Sequence, residues 1–157
     1  MLVALAGVIP DIDGLGVVWD ILSGSGKFEF YQQYHHVFGH NIFFGFLVAA
    51  SGLLLGVRKQ LVAVLMFVSF HLHLIGDIAG SRGLGNDFWD VPYFWPLSSK
   101  SYYWSGQWPL NGWQNFVITG VLLALMFYLA WKRGYSPLES VLLKADRALV
   151  EAVRNRF

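Results

Sequence analysis

Three long apolar runs constrain this chain more than anything else in it. Residues 41–57 (NIFFGFLVAASGLLLGV) carry no charge, residues 61–78 (LVAVLMFVSFHLHLIGDI) are apolar until their last third, and residues 116–131 (FVITGVLLALMFYLAW) are again uncharged. A helix needs about 20 residues, with ~17 as a working minimum, to cross the hydrocarbon core of a bilayer. The first two runs meet that minimum, and the third does so once Gln114 and Asn115 are included. One such run is ordinary in the core of a water-soluble protein. Three in 157 residues, in a chain that is 55% hydrophobic and 13% charged, are not. The expected fold is therefore all-α. It is a multi-pass helical membrane protein with a short N-terminal helix over residues 1–9, three spanning helices and a C-terminal amphipathic helix. The apolar start has no basic segment before it, so it does not read as a signal peptide.

The basic residues orient the spans. Arg58 and Lys59 fall in the turn between the first two runs, and Lys132, Arg133, Lys144, Arg147, Arg154 and Arg156 follow the third. Only Lys27, Arg82 and Lys100 fall on the other side, so the majority side is taken as cytoplasmic. The loop 101–113 (SYYWSGQWPLNGW) is crowded with Trp and Tyr, which favour the headgroup zone.

Residues 1–135 form the expected membrane domain, and residues 136–157 change character. Ser136-Pro137-Leu138-Glu139 has the form of a capping box with proline at the first helical position. Leu138, Val141, Leu142, Ala145, Leu149 and Val153 then recur at helical spacing, which predicts an amphipathic helix on the cytoplasmic face or against a partner. Gly52-x-x-x-Gly56 would let a neighbouring helix approach closely.

Charge and cysteine count exclude some functions. A net charge of +1 argues against a nucleic-acid partner. With no cysteine, any metal must be held by His, Asp, Glu or water.

The polar residues inside this apolar frame are few and grouped. All five histidines, His35, His36, His40, His71 and His73, lie between residues 35 and 73. Asp11 and Asp13 precede them, and Asp77 follows His73 by one helical turn. Such groups are costly near the membrane and are more often functional than decorative. The topology sends the starts and ends that carry them to one face, the outer one. Their chemistry is that of a divalent metal site, for Zn²⁺ or a similar ion. His73 and Asp77, at i and i+4, can share one ion. His36 and His40 have the same spacing, but they precede the span and have Gly39 between them. Asp11-Ile12-Asp13, after Pro10 and before Gly14, reads as a turn in which one carboxylate can bind metal and the other orient a histidine. Each has a plainer alternative: an Asp-x-Asp after proline often only caps a helix, and an interfacial histidine such as His71 is often solvated or packed.

These motifs resemble the YdjM-like family of membrane-bound, metal-dependent hydrolases over roughly residues 1–100. That family shows a Pro-Asp-x-Asp turn, matched by Pro10 to Asp13. It has a His-Arg-Gly-x-Thr-His-Ser block opening a membrane helix, matched by His35-His36-Val37-Phe38-Gly39-His40-Asn41, and a His-x-x-x-Asp, matched by His73 and Asp77. Gly80-Ser81-Arg82-Gly83 and Trp95-Pro96-Leu97-Ser98 are similar to a subset of it. The resemblance implies His35 and His40 as ligands, with His36 in place of the family's arginine, at a position tied to anion binding. The chain departs from the family at that residue and in having no histidine before His35.

The resemblance further implies a hydrolase of the inner (cytoplasmic) membrane that holds one or two divalent ions, Zn²⁺ first and Mn²⁺ or Mg²⁺ as alternatives. The expected ligands are Asp11, Asp13, His35, His40, His73 and Asp77. A carboxylate of the Asp11 and Asp13 pair not bound to metal would serve as general base, with Arg82 and His36 on the substrate side. The substrate would be a small molecule or a lipid, such as a phosphoester. The rival reading is a non-catalytic membrane protein whose metal clasp fixes helix packing or serves a partner. A transporter would need ionisable groups through the bilayer, and the first and third runs have none. A phosphatidate-phosphatase arrangement would need Ser-Arg upstream of the His-x-x-x-Asp, whereas Ser81-Arg82 follows it. Gly83-x-Gly85 is too short for a nucleotide loop. Asp87 and Asp90 are either ordinary turn residues or part of the site mouth.

Overall fold

The computed structural model describes residues 1–24, 30, 34–83 and 87–156; Lys27 and Gly85 lie outside them. Among the described residues the fold is all-helical, with only two isolated bridges, Arg82 to Pro109 and Val91 to Tyr102. The chain divides into two compact units, Leu2–Leu110 and Asn111–Phe157, the second including Met1.

The first unit is built on a helical hairpin. Helix α1 (Leu2–Ala6) leads into a 3-10 turn at Ile9–Leu15 and then α2 (Gly16–Leu22). Helix α3 (Ile42–Leu55) and helix α4 (Lys59–Gly80) form the hairpin itself. Asn41 starts α3: its side-chain carbonyl accepts from the Phe44 N–H at 2.9 Å, while its amide donates to the carbonyls of Val37 and Phe38. This is the ordinary chemistry of an asparagine N-cap, here also tying down the preceding loop. The helices approach closely where glycine removes a side chain. A Cβ on Gly52 would sit 2.8 Å from Met66 Sδ and 2.9 Å from Ala63 Cα, and one on Gly45 would meet the Phe70 ring at 2.9 Å. Ala6, Val48, Met66, Phe70, Leu74 and Val91 form the buried core between α1, α3, α4 and the loop after α4.

Helix lengths separate the three apolar runs. At 1.5 Å per residue, α4 with 22 residues is about 33 Å long and α3 with 14 residues only about 21 Å. The third run becomes helix α5 (Trp113–Arg133), 21 residues or about 32 Å. Two helices, α4 and α5, are thus long and apolar enough to cross a bilayer core of ~30 Å. On α5 Ala130 alone among its residues is buried, while Phe116, Val121, Leu122 and Phe127 are exposed. So large an apolar surface is suited to lipid rather than water.

In the second unit α5 ends at Gly134, whose left-handed backbone (φ +80°) donates its N–H to the Ala130 carbonyl. The expected single helix from Pro137 is corrected here. Residues Pro137–Ser140 make one 3-10 turn, Leu142 is extended, and α6 begins at Leu143 and runs to Arg154. The reason is Asp146, which sits buried in the first turn of α6. Its Oδ1 accepts from both the N–H and the hydroxyl of Ser136, each at 2.6 Å. Asp146, rather than the expected Glu139, takes the Ser136 N–H, and the chain must kink for α6 to fold back. The buried stripe consequently shifts to Val150 and Val153, leaving Val141 and Leu142 exposed.

Candidate metal centre

Three segments of the first unit deliver polar side chains to one place. The 3-10 turn contributes Asp11 and Asp13, the loop before α3 contributes His36 and His40, and the last two turns of α4 contribute His73 and Asp77. His73 Nε2 lies 3.1 Å from Asp77 Oδ2 and 3.3 Å from Asp11 Oδ1. His40 Nε2 lies 3.4 Å from Asp77 Oδ2 and 3.8 Å from Asp11 Oδ1. Asp11, His40 and His73 meet the geometric requirement for holding a metal ion, with their ligand atoms all within 4.8 Å of one another.

The residues present fit such an ion. His40 Nε2, His73 Nε2 and Asp77 Oδ2 are buried and have no hydrogen-bond partner among the described residues. Buried polar atoms are normally satisfied. Here they stand close together without hydrogen-bonding geometry. Donors about 2.05 Å from a tetrahedral ion would be separated by ~3.3 Å, which falls within the observed spacings of 3.1 to 3.8 Å. The set of two imidazoles and carboxylates is also that of catalytic zinc sites. The carboxylate of Asp11 is 53% exposed, whereas His40 is fully buried. The centre therefore opens to the surface on the Asp11 side.

Asp13 has a different place. Its Oδ1 pairs with His35 Nδ1 at 2.9 Å, and its Oδ2 accepts from the backbone N–H groups of His36 and Gly39 at 2.9 Å each, with His40 Nδ1 at 3.3 Å. Both oxygens are thus engaged below the cluster. By holding His40 Nδ1, Asp13 turns the opposite nitrogen towards the other ligands, as the carboxylate partner of a metal-bound histidine does. The loop reaches this position because residue 39 is glycine: a Cβ there would overlap the Pro10 carbonyl. His35 is held on Asp13 and is not among the four converging groups.

The electrostatics follow from burial and pairing. For Asp13, burial alone would raise the pKa. The hydrogen bonds from His35, His40 and Gly39 outweigh it and hold the carboxyl well below the usual range. For His40, burial opposes the charge, but Asp13 and Asp77 together raise the pKa to about 9. His36 has burial and the neighbouring His40 and His35 against it, which outweigh the attraction of Asp77 and Asp13, and its pKa falls to about 3. It therefore stays neutral. Its ring lies parallel to His40 at 4.2 Å, and its backbone adopts φ +74°, an uncommon conformation for a residue with a side chain.

The other candidates are placed elsewhere. His71 has Nδ1 against the Phe67 carbonyl and Nε2 against the Tyr93 hydroxyl, both at 2.8 Å, so it links α4 to the following loop. Arg82 stands just past Ser81, whose hydroxyl donates to Asp77 Oδ1 at 3.4 Å, and its Nε is buried without a partner among the described residues. Asp87 and Asp90 are exposed. Sequence reasoning missed Gln107. It is buried, donates to the carbonyls of Asp77 and Ile78 at the end of α4, and accepts from the Trp89 N–H at 2.8 Å. A lone amide in an aromatic loop carries no spacing signal that would mark it.

No curated protein and no solved structure matches this chain. A family profile does, described as YdjM inner membrane protein, and it matches residues 1–149. A match over nearly the whole chain, together with two helices suited to lipid, supports a membrane location, and the chain belongs to the YdjM inner membrane protein family.

Proposed function

We propose that the protein is a metal-dependent hydrolase of the inner membrane, acting on a phosphoester or lipid substrate at the outer face. The single observation that carries this reading is the convergence of His40 Nε2, His73 Nε2 and Asp77 Oδ2, buried and without a hydrogen-bond partner among the described residues, beside the exposed carboxylate of Asp11. Three buried ligands and an open fourth corner suit a catalytic site better than a closed structural one. A bound divalent ion, Zn²⁺ first and Mn²⁺ or Mg²⁺ as alternatives, supplies Lewis acidity that polarises the scissile group and makes water easier to deprotonate.

The chain's own residues do the rest. Asp11 is close enough to His40 and His73 to be a fourth ligand; in this reading it stays off the ion, which His40, His73 and Asp77 hold, and as the solvent-reachable carboxylate it accepts the proton of the attacking water as general base. Asp13 keeps His40 in register and His35 backs Asp13. His36 and Arg82 face the substrate side. In the proposed multi-pass arrangement α3 is a third, short span flanked by the site loop. Arg58 and Lys59 lie on the cytoplasmic side, since Lys59 is about 27 Å along α4 from Asp77. Residues 136–157 lie along the cytoplasmic surface.

The test is purified protein assayed on generic phosphoesters and phospholipids with and without added Zn²⁺ or Mn²⁺. Metal-dependent turnover abolished by Asp11→Asn, with metal content retained, is the expected result. Stoichiometric metal with no turnover on either class would instead leave the rival reading, a clasp that cross-links the three segments.

A further inference from the structure

The two ligands on α4 border a side of that helix which the fold leaves bare. Leu61, Val64, Leu65, Val68, Leu72 and Ile75 are all exposed. At about 3.6 residues per turn they fall on one stripe along α4, and His73 and Asp77 fall on the side next to it. Gly76 lies on the border between the two. It is exposed, and a Cβ there would meet none of the described residues within 4 Å, unlike the packed Gly45 and Gly52. The border beside Asp77 is therefore open. The segment that carries Asp11 is apolar on its exposed side as well: Val8, Ile12 and Leu15 flank the half-exposed carboxylate in the chain and are themselves exposed. Depth agrees with this rim. His73 and Asp77 lie about 21 Å and about 27 Å along α4 from Lys59. With Lys59 at the cytoplasmic boundary, both stop short of the far edge of a hydrocarbon core of ~30 Å. Ionisable groups at that depth are costly and mark a substrate or ion path.

We infer that the centre opens sideways into the membrane past Gly76, and that its substrate is a phospholipid entering in the plane of the bilayer. The acyl chains lie along the bare stripe of α4, and an ester near the headgroup turns in towards His73 and Asp77. The inference rests on the hydrolase reading and on the proposed crossing of α4, and it narrows the substrate to lipids. A soluble phosphoester would have to pass an apolar rim that offers its charge nothing, whereas a lipid already lies against that rim. The reaction needs no further reactant: one water is consumed, its oxygen bonds to the phosphorus or acyl carbon, and the alcohol leaves with one of its protons.

The test starts with the gap itself. Because the chain has no cysteine, Gly76→Cys carries a single nitroxide. Full-length, Zn²⁺-loaded protein in vesicles of phosphatidylethanolamine and phosphatidylglycerol is exposed to oxygen, which concentrates in lipid, and to a nickel chelate, which stays in water. The expected result is stronger relaxation by oxygen, as at a Leu65→Cys control on the stripe. Relaxation chiefly by the chelate would put the gap in water and overturn sideways entry. Gly76→Leu then closes the gap. Its side chain has room, and leucine favours helix over glycine, so fold and Zn²⁺ content should hold. Turnover of vesicle phospholipid should fall about tenfold relative to turnover of a short soluble phosphoester. Equal loss on both substrates, or no loss on the lipid, overturns the lipid assignment. A lipid-facing nitroxide with no turnover of either substrate keeps the sideways opening and overturns hydrolysis, and the substrate assignment with it.

Discussion

Neighbouring residues in this protein divide the work of one site. Asp11 and Asp13 are two positions apart, yet one carboxylate is half exposed at the mouth and the other is buried under four donors. Asp13→Asn should therefore lower metal affinity by 10- to 100-fold through loss of His40 orientation. His73→Ala should leave the purified protein essentially without metal; elemental analysis of both variants beside the parent checks the contrast.

His40 also sets a pH dependence whose sign is fixed. Its pKa is raised in the folded state, so the stability it contributes to the metal-free protein is complete below 6.5 and is lost as pH rises through about 9. Asp13 acts oppositely, its contribution fading as pH falls below the ordinary carboxylate range. Metal binding must displace the His40 proton, so affinity should rise about tenfold per pH unit across the same interval in which the metal-free protein loses stability. Thermal melts with and without Zn²⁺ between pH 6 and 9.5 should show the two trends crossing. Parallel trends would mean that His40 does not bind the ion.

At the scale of elements, close approach does what side-chain attraction does elsewhere. The α3–α4 hairpin depends on Gly45 and Gly52 because Met66, Ala63 and Phe70 occupy the space a Cβ would need. Gly52→Leu should cost about 1–3 kcal/mol or more by forcing the helices apart, read as a lower melting temperature in detergent. In the second unit the kink at Leu142 depends on Asp146. Asp146→Ala strands the buried Ser136 N–H and should cost about 1–3 kcal/mol. It should also make the segment 136–143 the first site of proteolysis. The Gly52-x-x-x-Gly56 spacing was legible before any coordinates, and Gly56, which also ends α3, lies against α4 too, since a Cβ there would sit 2.8 Å from Val62 Cβ. The kink was not legible, because Ser136 and Asp146 are ten residues apart and the capping box offered a nearer partner.

For the whole molecule, the distribution of charge along a greasy chain predicts where each end lies. Arg58 and Lys59 stand at one end of α4 and the His and Asp cluster at the other. The chain has no cysteine, so single cysteines report sidedness without background. Val57→Cys, at a fully exposed position in the turn, should react with an impermeant maleimide only from the cytoplasmic side. Tyr103→Cys, also exposed, should react from the outside. Labelling of both from one face would refute the proposed multi-pass topology.

The sequence by itself determined that the chain is helical, that it belongs with lipid, and that its ionisable residues collect at a few segment ends. Those properties are local: apolar runs, helical spacing and the cost of charge near hydrocarbon. The tertiary structure decided which ionisable groups meet. His35 and His40 are equivalent in a motif, but only His40 is turned by Asp13 towards His73 and Asp77. Gln107 acquires its role only when a distant loop folds onto the end of α4. Such assignments depend on contacts between segments far apart in the chain, and no spacing rule within a single segment contains them.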